Sequence, residues 1–304
     1  IGIIYISHKL KEIIKISDVI TVLKDGKIRK TFEKNIVNEE ILIEAMVGEN
    51  LLIKQKELKE FKDSNCILSL KNLSYQNKFN KINLNLAQGE VLGLSGLLGS
   101  GSNELLRCIF GIDKIEEGEI SLSNIRIKIN SIKDAINYGI GYIPSDRKNE
   151  GLIQNNSIKD NAVLTIFEKL TNFGFFNNRK AALTTNSYIE KLDIKVSDIN
   201  NFVMNLSGGN QQKVVIAKWL AKKCKILLFD EPTRGIDVAA KAQIWKLISE
   251  FTKNGGSVIV ASNEIPELIN NCDRILTLQK GIINKTFIHQ EFNEHKISLS
   301  ISSN

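Results

Sequence analysis

The sequence predicts an α/β protein built on a mainly parallel sheet that helices cover on both faces. Two observations lead to this prediction. Short apolar runs, such as residues 226–229 and 257–261, alternate with longer segments of helical periodicity, as buried strands and covering helices do. In addition, an apolar strand at 91–95 runs into a glycine-rich turn and then into a helix, which is how open α/β sheets commonly build a binding site.

The predicted elements follow one another in a clear order. Residues 67–73 alternate apolar and polar side chains as a half-buried strand does, and Gly118 begins the arm of a hairpin. The strands are predicted at 67–73, 81–86, 91–95, 118–122, 226–229 and 257–261, and the helices at 103–110, most of 163–192, 214–221 and 239–252.

Composition narrows the class of protein. The chain has 304 residues with 42% hydrophobic and 25% charged residues, which is typical of a globular protein, and no apolar run approaches the roughly 18 residues of a membrane span. The formal charge is +7, but lysines and acids are interspersed without a dense basic block, so nucleic acid is not an expected partner. Four cysteines without a C-x-x-C pair suit a reducing compartment.

An internal repeat divides the chain. The first 32 residues align without gaps with residues 256–287 at a constant offset of 255, pairing Asp18 with Asp273 and Gly26 with Gly281. Both copies predict a strand, a polar turn, an amphipathic helix and two strands joined at glycine. We therefore expect residues 1–50 to be the C-terminal tail of a truncated first domain, residues 51–64 a helical or irregular linker, residues 65–290 a complete second domain and residues 291–304 a tail. The start at Ile1 reads as an interior strand, so the chain is expected to be a fragment.

The glycine-rich turn has the context of a phosphate-binding loop (P-loop). Its candidate binding residues are Gly96, Gly99, Ser100, Gly101, Ser102 and Asn103. Glycines let backbone N–H groups converge on phosphate oxygens, and the following helix adds partial positive charge. The usual final lysine and hydroxyl residue are replaced by Ser102 and Asn103. The lost lysine–phosphate pair is worth on the order of 4 kcal/mol, so on its own this loop is better explained as a tight structural turn.

Two later motifs are more specific. Ser207, Gly208 and Gly209 open a helix and present a hydroxyl and free N–H groups to an anion. A capped helix start is the alternative, although consecutive glycines weaken a helix unless something must approach the backbone closely. Downstream, Asp230 and Glu231 end an apolar strand, at the sheet edge where ligands gather. Asp230 is a candidate Mg²⁺ ligand through water and Glu231 a candidate base for an attacking water; the alternative is a solvated acidic turn.

The order of these motifs, followed by Gly-Ile-Asp at 235–237, resembles the ATP-binding subunit of ABC transporters. The resemblance implies a P-loop NTPase fold of the ABC-transporter type with a helical subdomain. Residues 143–148 (Ile-Pro-Ser-Asp-Arg-Lys), together with Gly151-Leu152 and Asp230 to Gly235, resemble importers of monosaccharides of the ribose and galactose type, which carry two ATP-binding domains in one chain. The similarity extends from about residue 4 to residue 287.

The resemblance also implies roles for individual residues. His8 matches the switch histidine of the first domain and would act with Ser207, Gly208, Gly209 and Gln211 at one nucleotide site. Glu231 would be catalytic at the second site, where Asp230 and Asn103 would hold Mg²⁺, and Tyr75 or Phe79 would stack on adenine. Ser102, Asn103, Ser145 and Asn263 depart from the family pattern. We therefore expect one competent site and one degenerate site.

The same resemblance implies partners and a location. The partners would be ATP, membrane permease subunits and an extracytoplasmic solute-binding protein, at the cytoplasmic face of the plasma membrane. Residues 153–176 would face the permease, and the aromatic cluster at 173–176 either docks there or packs on its own domain. The alternatives are a nucleoside importer subunit, a soluble ABC protein outside transport, and an inactive truncated remnant.

Overall fold

The computed structural model describes residues 2–7, 10–24, 26–47 and 65–302. Its strands are β1 (Val19–Lys24), β2 (Lys27–Glu33), β3 (Cys66–Tyr75), β4 (Phe79–Ala87), β5 (Val91–Gly96), β6 (Glu117–Leu122), β7 (Ile125–Ile127), β8 (Ile140–Ile143), β9 (Thr171–Asn172), β10 (Phe175–Phe176), β11 (Ile226–Asp230), β12 (Ser257–Ala261), β13 (Arg274–Gln279) and β14 (Ile282–Ile288). Its α-helices are α1 (Leu10–Ile16), α2 (Glu39–Val47), α3 (Ser102–Ile109), α4 (Ile132–Asn137), α5 (Ile158–Val163), α6 (Asn178–Lys191), α7 (Gly208–Lys222), α8 (Val238–Lys253), α9 (Ile265–Asn271) and α10 (Glu294–Ser302). The predicted linker at 51–64 lies outside the described residues.

A six-stranded sheet in the order β14-β13-β5-β12-β11-β8 forms the centre of the larger unit. Its first five strands from the β8 edge run parallel, and β14 joins antiparallel to β13. Every residue of β5, β8, β11 and β12 is buried. The predicted α/β class with a mainly parallel sheet is therefore confirmed. Because β5, β11 and β12 run in the same direction, the segments that follow them meet at one edge.

A second sheet is antiparallel, in the order β4-β3-β6-β7. Leu68, Leu70, Phe79 and Ile82 from β3 and β4 are buried in the same core as the central strands. The hairpin predicted to begin at Gly118 is confirmed, since β6 pairs antiparallel with β7. This sheet brings the turn between β3 and β4 next to the glycine-rich loop.

The helix predicted over most of 163–192 is wrong in its middle. A 3-10 segment at Leu164–Leu170 leads into the β9–β10 hairpin, and α6 begins only afterwards. Phe173 and Gly174 connect the two strands with positive φ angles of 49° and 83°. A helix cannot pass through such a turn, because left-handed residues break its hydrogen-bond ladder. Phe167 and Phe176 stack with ring centroids 4.8 Å apart and hold the hairpin on its own domain.

The internal repeat is present in the structure and extends further than the sequence alignment. The order of α1, β1, β2 and α2 is reproduced by α9, β13, β14 and α10. The strand pairs even share an irregularity in register, at Val22/Leu23 in one copy and Thr277/Leu278 in the other. The first copy has a small core of its own, formed by Leu10, Ile20, Val22, Phe32 and Leu42.

The strand predicted at the start of the chain is not formed. Residues 2–7 have no strand pairing within the described part of the chain, and Ile3, Ile4 and Ile6 are 85%, 92% and 90% exposed. Their equivalents in the second copy lie in β12, which is buried between β5 and β11. The difference has a simple cause: a strand needs a neighbour for its backbone hydrogen bonds. None of the helices in the described ranges combines the length and apolar character needed to cross a membrane.

Candidate functional site

The P-loop connects the buried strand β5 to α3. Gly101 has a φ of 97°, a left-handed conformation that suits glycine. A Cβ atom at this position would lie 2.6 Å from the backbone oxygen of Lys78, in the turn between β3 and β4. The loop is also tied internally, since the N–H of Ser100 donates to the carbonyl of Leu97 at 2.8 Å. The glycine at 101 is therefore required both by conformation and by space.

The two residues that end the P-loop form a hydrogen-bonded chain. The Oγ atoms of Ser100 and Ser102 are 3.3 Å apart, and the Ser102 hydroxyl donates to Oδ1 of Asn103 at 3.2 Å. Nδ2 of Asn103 in turn donates to Oδ1 of Asp230 at 2.6 Å. The loop that follows β5 and the acid that ends β11 are thus in direct contact, as their predicted place at one sheet edge requires.

The two acids of the site have different surroundings. Asp230 is buried, and Oδ2 accepts a hydrogen bond from the hydroxyl of Tyr142 at 3.0 Å. Burial raises the pKa of Asp230 above its ordinary value, although hydrogen bonds from Tyr142 and Ser145 oppose this shift. Glu231 is partly exposed, and burial raises its pKa as well. A buried Asp230 does not fit the alternative of a solvated acidic turn.

Glu231 adopts an uncommon backbone conformation. Its φ of 47° lies in the left-handed region, which costs free energy for a residue with a side chain. Its N–H donates to the carbonyl of Ala261 at 2.9 Å, and its Oε1 accepts from the N–H of Asn263 at 3.0 Å. These contacts join the ends of β11 and β12 and aim the glutamate. Asn263 therefore lies at the same site, whereas His8 lies outside the described residues.

The donor set at this edge does not fit a magnesium ion. Mg²⁺ prefers oxygen ligands in a near-octahedral arrangement. Here Asn103 turns its amide nitrogen toward Asp230, while its oxygen accepts from Ser102. The amide oxygen of Asn103, one of the two groups predicted to hold Mg²⁺, is therefore already occupied by a hydrogen bond from within the P-loop.

A second group of predicted site residues surrounds the start of α7. The Ser207 side chain makes no capping hydrogen bond to the helix, and its Oγ accepts from Nδ2 of Asn210 at 3.0 Å. A Cβ at Gly208 would strike the Arg147 guanidinium, and one at Gly209 would lie 2.6 Å from Cβ of Ala240 on α8. The two glycines were predicted to allow a close approach to the backbone. In the structure, the groups that approach are the side chains of Arg147 and Ala240 of this same chain.

Arg147 links this helix start to two other segments. It opens a π-helical turn (Arg147–Gly151) that follows Ser145, and it donates from Nη1 to the carbonyl of Arg234 at 2.9 Å. The motif at 143–148 contains Arg147, but no sequence signal indicates its contact with Gly208. Gln211 is buried and donates to the carbonyl of Leu206 at 3.2 Å, so its side chain braces the preceding turn.

The two aromatic candidates for adenine stacking have different positions. Phe79 is buried in the core, which leaves Tyr75 as the accessible ring of the pair. The two ring centroids are 6.0 Å apart. Tyr75 lines a surface cavity of about 540 Å³ together with Gln76 and residues 112–116. Tyr75 is the one of the two that a flat ligand can reach.

Comparison with known proteins places these motifs in context. The profile of the ABC transporter family matches residues 79–234. The ribose import ATP-binding protein RbsA of Clostridium tetani is 41% identical over 298 residues, which is 98% of this chain and 59% of that protein. The protein of the same name from Lactococcus lactis is 39% identical over 287 residues, covering 93% of this chain and 57% of that protein. The chain therefore spans less than two thirds of the length of these relatives.

Among solved structures, an ATP-binding cassette of an ABC transporter, MJ1267 in its ADP conformation, has a similar fold. The TM-score is 0.65 with 19% identity, over 78% of this chain and 95% of that chain. The expected P-loop NTPase fold of the ABC type agrees with this likeness.

Proposed function

The chain belongs to the ABC transporter family, and from that premise we propose that it is the ATP-binding, energy-coupling part of an importer of simple sugars. The observation that carries the proposal is the meeting of the P-loop with the acidic strand end, where Nδ2 of Asn103 lies 2.6 Å from Oδ1 of Asp230. The sugar class is supported by relatives at 39% and 41% identity that are named ribose import ATP-binding proteins.

The proposed domain organisation follows from the repeat. Residues 1–50 are the tail of a first ATP-binding domain, 51–64 a linker, 65–290 a second domain and 291–304 its tail. The exposed isoleucines at 3, 4 and 6 and their buried equivalents in β12 support this division, since they occupy a central strand position without its neighbours.

Two nucleotide sites of unequal quality are proposed. At the first, His8 acts with Ser207, Gly208 and Gly209 on ATP and Mg²⁺, opposite a P-loop supplied by the first domain. At the second, the P-loop of this chain binds nucleotide beside Asp230 and Glu231, with Tyr75 against the base. The second site is degenerate, because Ser102, Asn103, Ser145 and Asn263 replace the family residues. The buried Gln211 serves to hold the Leu206 turn that presents Ser207.

A permease is the proposed membrane partner. Phe173 and Phe175 on the β9–β10 hairpin are exposed, and they lie within residues 153–176, the segment expected to face the permease. Exposed aromatic side chains that cluster on one hairpin suit a protein contact. We propose a peripheral place at the cytoplasmic face of the membrane, with a solute-binding protein on the opposite side and no role for nucleic acid.

Nucleotide binding is tested first. Gly101→Ala places a methyl group against the Lys78 carbonyl and strains the left-handed turn, so we expect ATP binding to weaken by at least about tenfold. Gly174→Ala is the matched control, because Gly174 also has a positive φ but has open space around it. Equilibrium titration with a fluorescent ATP analogue measures both variants. Equal affinities for Gly101→Ala and Gly174→Ala would contradict nucleotide binding at the P-loop.

Transport is tested in membrane vesicles that contain the assembled importer. Labelled ribose and galactose are offered in one set and labelled nucleosides in another, and we expect ATP-driven uptake of the sugars. His8→Ala should abolish uptake, whereas Asn263→Ala should leave more than about a third of it, because only the first site cycles. Nucleoside uptake without sugar uptake would refute the sugar class, and equal loss in both variants would refute the asymmetry between the sites.

A further inference from the structure

The Asp230 carboxylate is already supplied with hydrogen-bond donors from the protein. Its side chain is 3% exposed. Oδ1 accepts from Nδ2 of Asn103 at 2.6 Å, and Oδ2 accepts from the Tyr142 hydroxyl at 3.0 Å. Hydrogen bonding from the Ser145 side chain also lowers the pKa of this carboxyl group, against the effect of burial. All of these groups are neutral, and they come from two segments of the chain: Asn103 from the start of α3, and Tyr142 and Ser145 from β8 and the turn that follows it. Hydrogen bonds of this kind can stabilise a buried carboxylate, as a cation can.

The orientation of the Asn103 amide shows that hydrogen-bond donors, and not a cation, stabilise Asp230 here. Its Nδ2 and Oδ1 are both engaged, the first with Asp230 and the second with the Ser102 hydroxyl. Turning the amide around would offer its oxygen to a cation, and the Ser102 hydroxyl could then accept from the turned Nδ2. The bond to Asp230 would nevertheless be lost, and an amide oxygen would face the carboxylate oxygen at the 2.6 Å that now separates Nδ2 from Oδ1 of Asp230. The side chain at position 103 therefore contributes a donor to Asp230, where a metal ligand would have to contribute an acceptor.

The positive charge of the P-loop is also missing. Ser102 occupies the place of the usual lysine, and its hydroxyl is part of the chain from Ser100 to Asn103. The remaining attraction for phosphate comes from the backbone N–H groups of the loop and from the start of α3, which act on the anion directly and do not depend on a metal.

From these contacts we infer that the P-loop site of this chain holds its nucleotide without a divalent cation, and that Asn103 and Tyr142 take over the role that the ion would have toward Asp230. This inference rests on the proposal that the P-loop binds nucleotide. It makes the second site a metal-independent nucleotide sensor beside a metal-dependent first site.

The test is an equilibrium titration of the full chain with fluorescent ADP, once with excess Mg²⁺ and once with EDTA. For the natural sequence we expect the two dissociation constants to agree within about threefold, and in the double variant Ser102→Lys/Asn103→Thr, which restores a cation and a hydroxyl, Mg²⁺ should tighten binding by at least about tenfold. Asn149→Thr is the matched control, because Asn149 also donates from Nδ2 to an aspartate, Asp146, at 2.7 Å. It should behave as the natural sequence does.

A second readout follows the metal itself. With Mn²⁺ in place of Mg²⁺, the electron paramagnetic resonance signal of Mn²⁺–ADP should be unchanged by the natural chain and altered by the double variant. Thermal unfolding checks that each variant is folded, and Asn103→Thr alone replaces the double variant if the Ser102→Lys substitution prevents folding.

The possible outcomes distinguish nucleotide binding at the P-loop from the independence of that binding from a metal ion. Mg²⁺ that tightens binding to the natural chain by about tenfold or more would overturn the inference and leave the proposed nucleotide site intact. Binding in neither condition would overturn both. A folded double variant that gains no metal dependence would overturn the assignment to Ser102 and Asn103.

Discussion

Lys218 on α7 offers a quantitative test of how α7 is attached to the π-helical turn at Arg147–Gly151. Its side chain is 7% exposed, and Nζ donates to the carbonyl of Gly151 at 2.7 Å. Nζ also lies 5.2 Å from the centroid of the Trp219 ring. Because burial removes the ammonium group from water, the pKa of Lys218 falls to about 8. The amine therefore joins α7 to the end of the π-helical turn at a considerable electrostatic cost.

The size of that cost follows from the two pKa values. An unfolded lysine has a pKa of about 10.4, and a difference of one pH unit between the folded and unfolded pKa corresponds to about 1.4 kcal/mol, so the charged form is disfavoured by about 3 kcal/mol in the folded chain. The penalty is fully present below about pH 8 and disappears as the pH rises toward about 10, because the folded state releases its proton before the unfolded state does. The stability of the natural chain should therefore rise with pH relative to a variant without the amine.

Urea unfolding of the natural chain and Lys218→Met, near pH 7 and again near pH 9.5, measures this effect. From pH 7 to pH 9.5, we expect the free energy of unfolding of the natural chain, relative to that of Lys218→Met, to rise by about 2 kcal/mol. Lys246→Met, at an exposed position of α8, serves as the control. The difference in free energy of unfolding between the natural chain and Lys246→Met should change by less than about 0.5 kcal/mol between the two pH values. If Lys218→Met and the natural chain respond to pH in parallel, the argument from burial is refuted.

Two further predictions concern packing and charge. Gly209→Ala forces a methyl group to 2.6 Å from Cβ of Ala240, so we expect the free energy of unfolding to fall by about 1–3 kcal/mol. A second substitution, Ala240→Gly, should restore most of this loss. An unchanged denaturation curve for Gly209→Ala would contradict this expectation. Arg274→Met removes the cation 2.9 Å from the buried carboxylate of Glu90 and should cost about 3–5 kcal/mol. Arg126→Met, in an exposed pair, should cost less than about 1 kcal/mol in the same thermal melts; equal losses would refute the role of burial.

Three adjacent strands of the central sheet, β5, β12 and β11, could be predicted from the sequence because they carry a strong local signal, whereas β8 at the edge of the sheet was not predicted. The apolar runs that form β5, β11 and β12 are short and are bounded by glycine or polar residues. This pattern favours a buried strand over a helix, which needs a longer segment. The β9–β10 hairpin was missed for the opposite reason. Its turn residues Phe173 and Gly174 do not form one of the usual hairpin dipeptides, and the residues just before the hairpin, Glu168, Lys169 and Leu170, are good helix formers.

Some residues of the candidate site could be predicted from the sequence, and others could not. Asp230 and Glu231 were predicted because they follow directly on a buried strand. Tyr142 was not, because it reaches Asp230 across 88 positions of sequence, through the parallel pairing of β11 with β8. A tyrosine in an apolar strand is ordinarily a core residue, so only its spatial neighbour marks it. The direction of the Asn103 amide is likewise set by its partners and has no signature in the sequence.

The repeat gives every position of one structural module two environments within a single molecule. Lys30 lies 5.1 Å from the ring centroid of Phe32, and Lys285 lies 4.8 Å from that of Phe287. This contact is present in both copies, although only β13 has β5 beside it. The hairpin and its cation–aromatic contact are thus local properties, encoded within the module. The segment that precedes the first helix of the module is exposed in one copy and buried as β12 in the other, so its burial depends on the surrounding sheet. The protein therefore carries its own natural comparison between what a segment of sequence specifies alone and what it acquires from its neighbours.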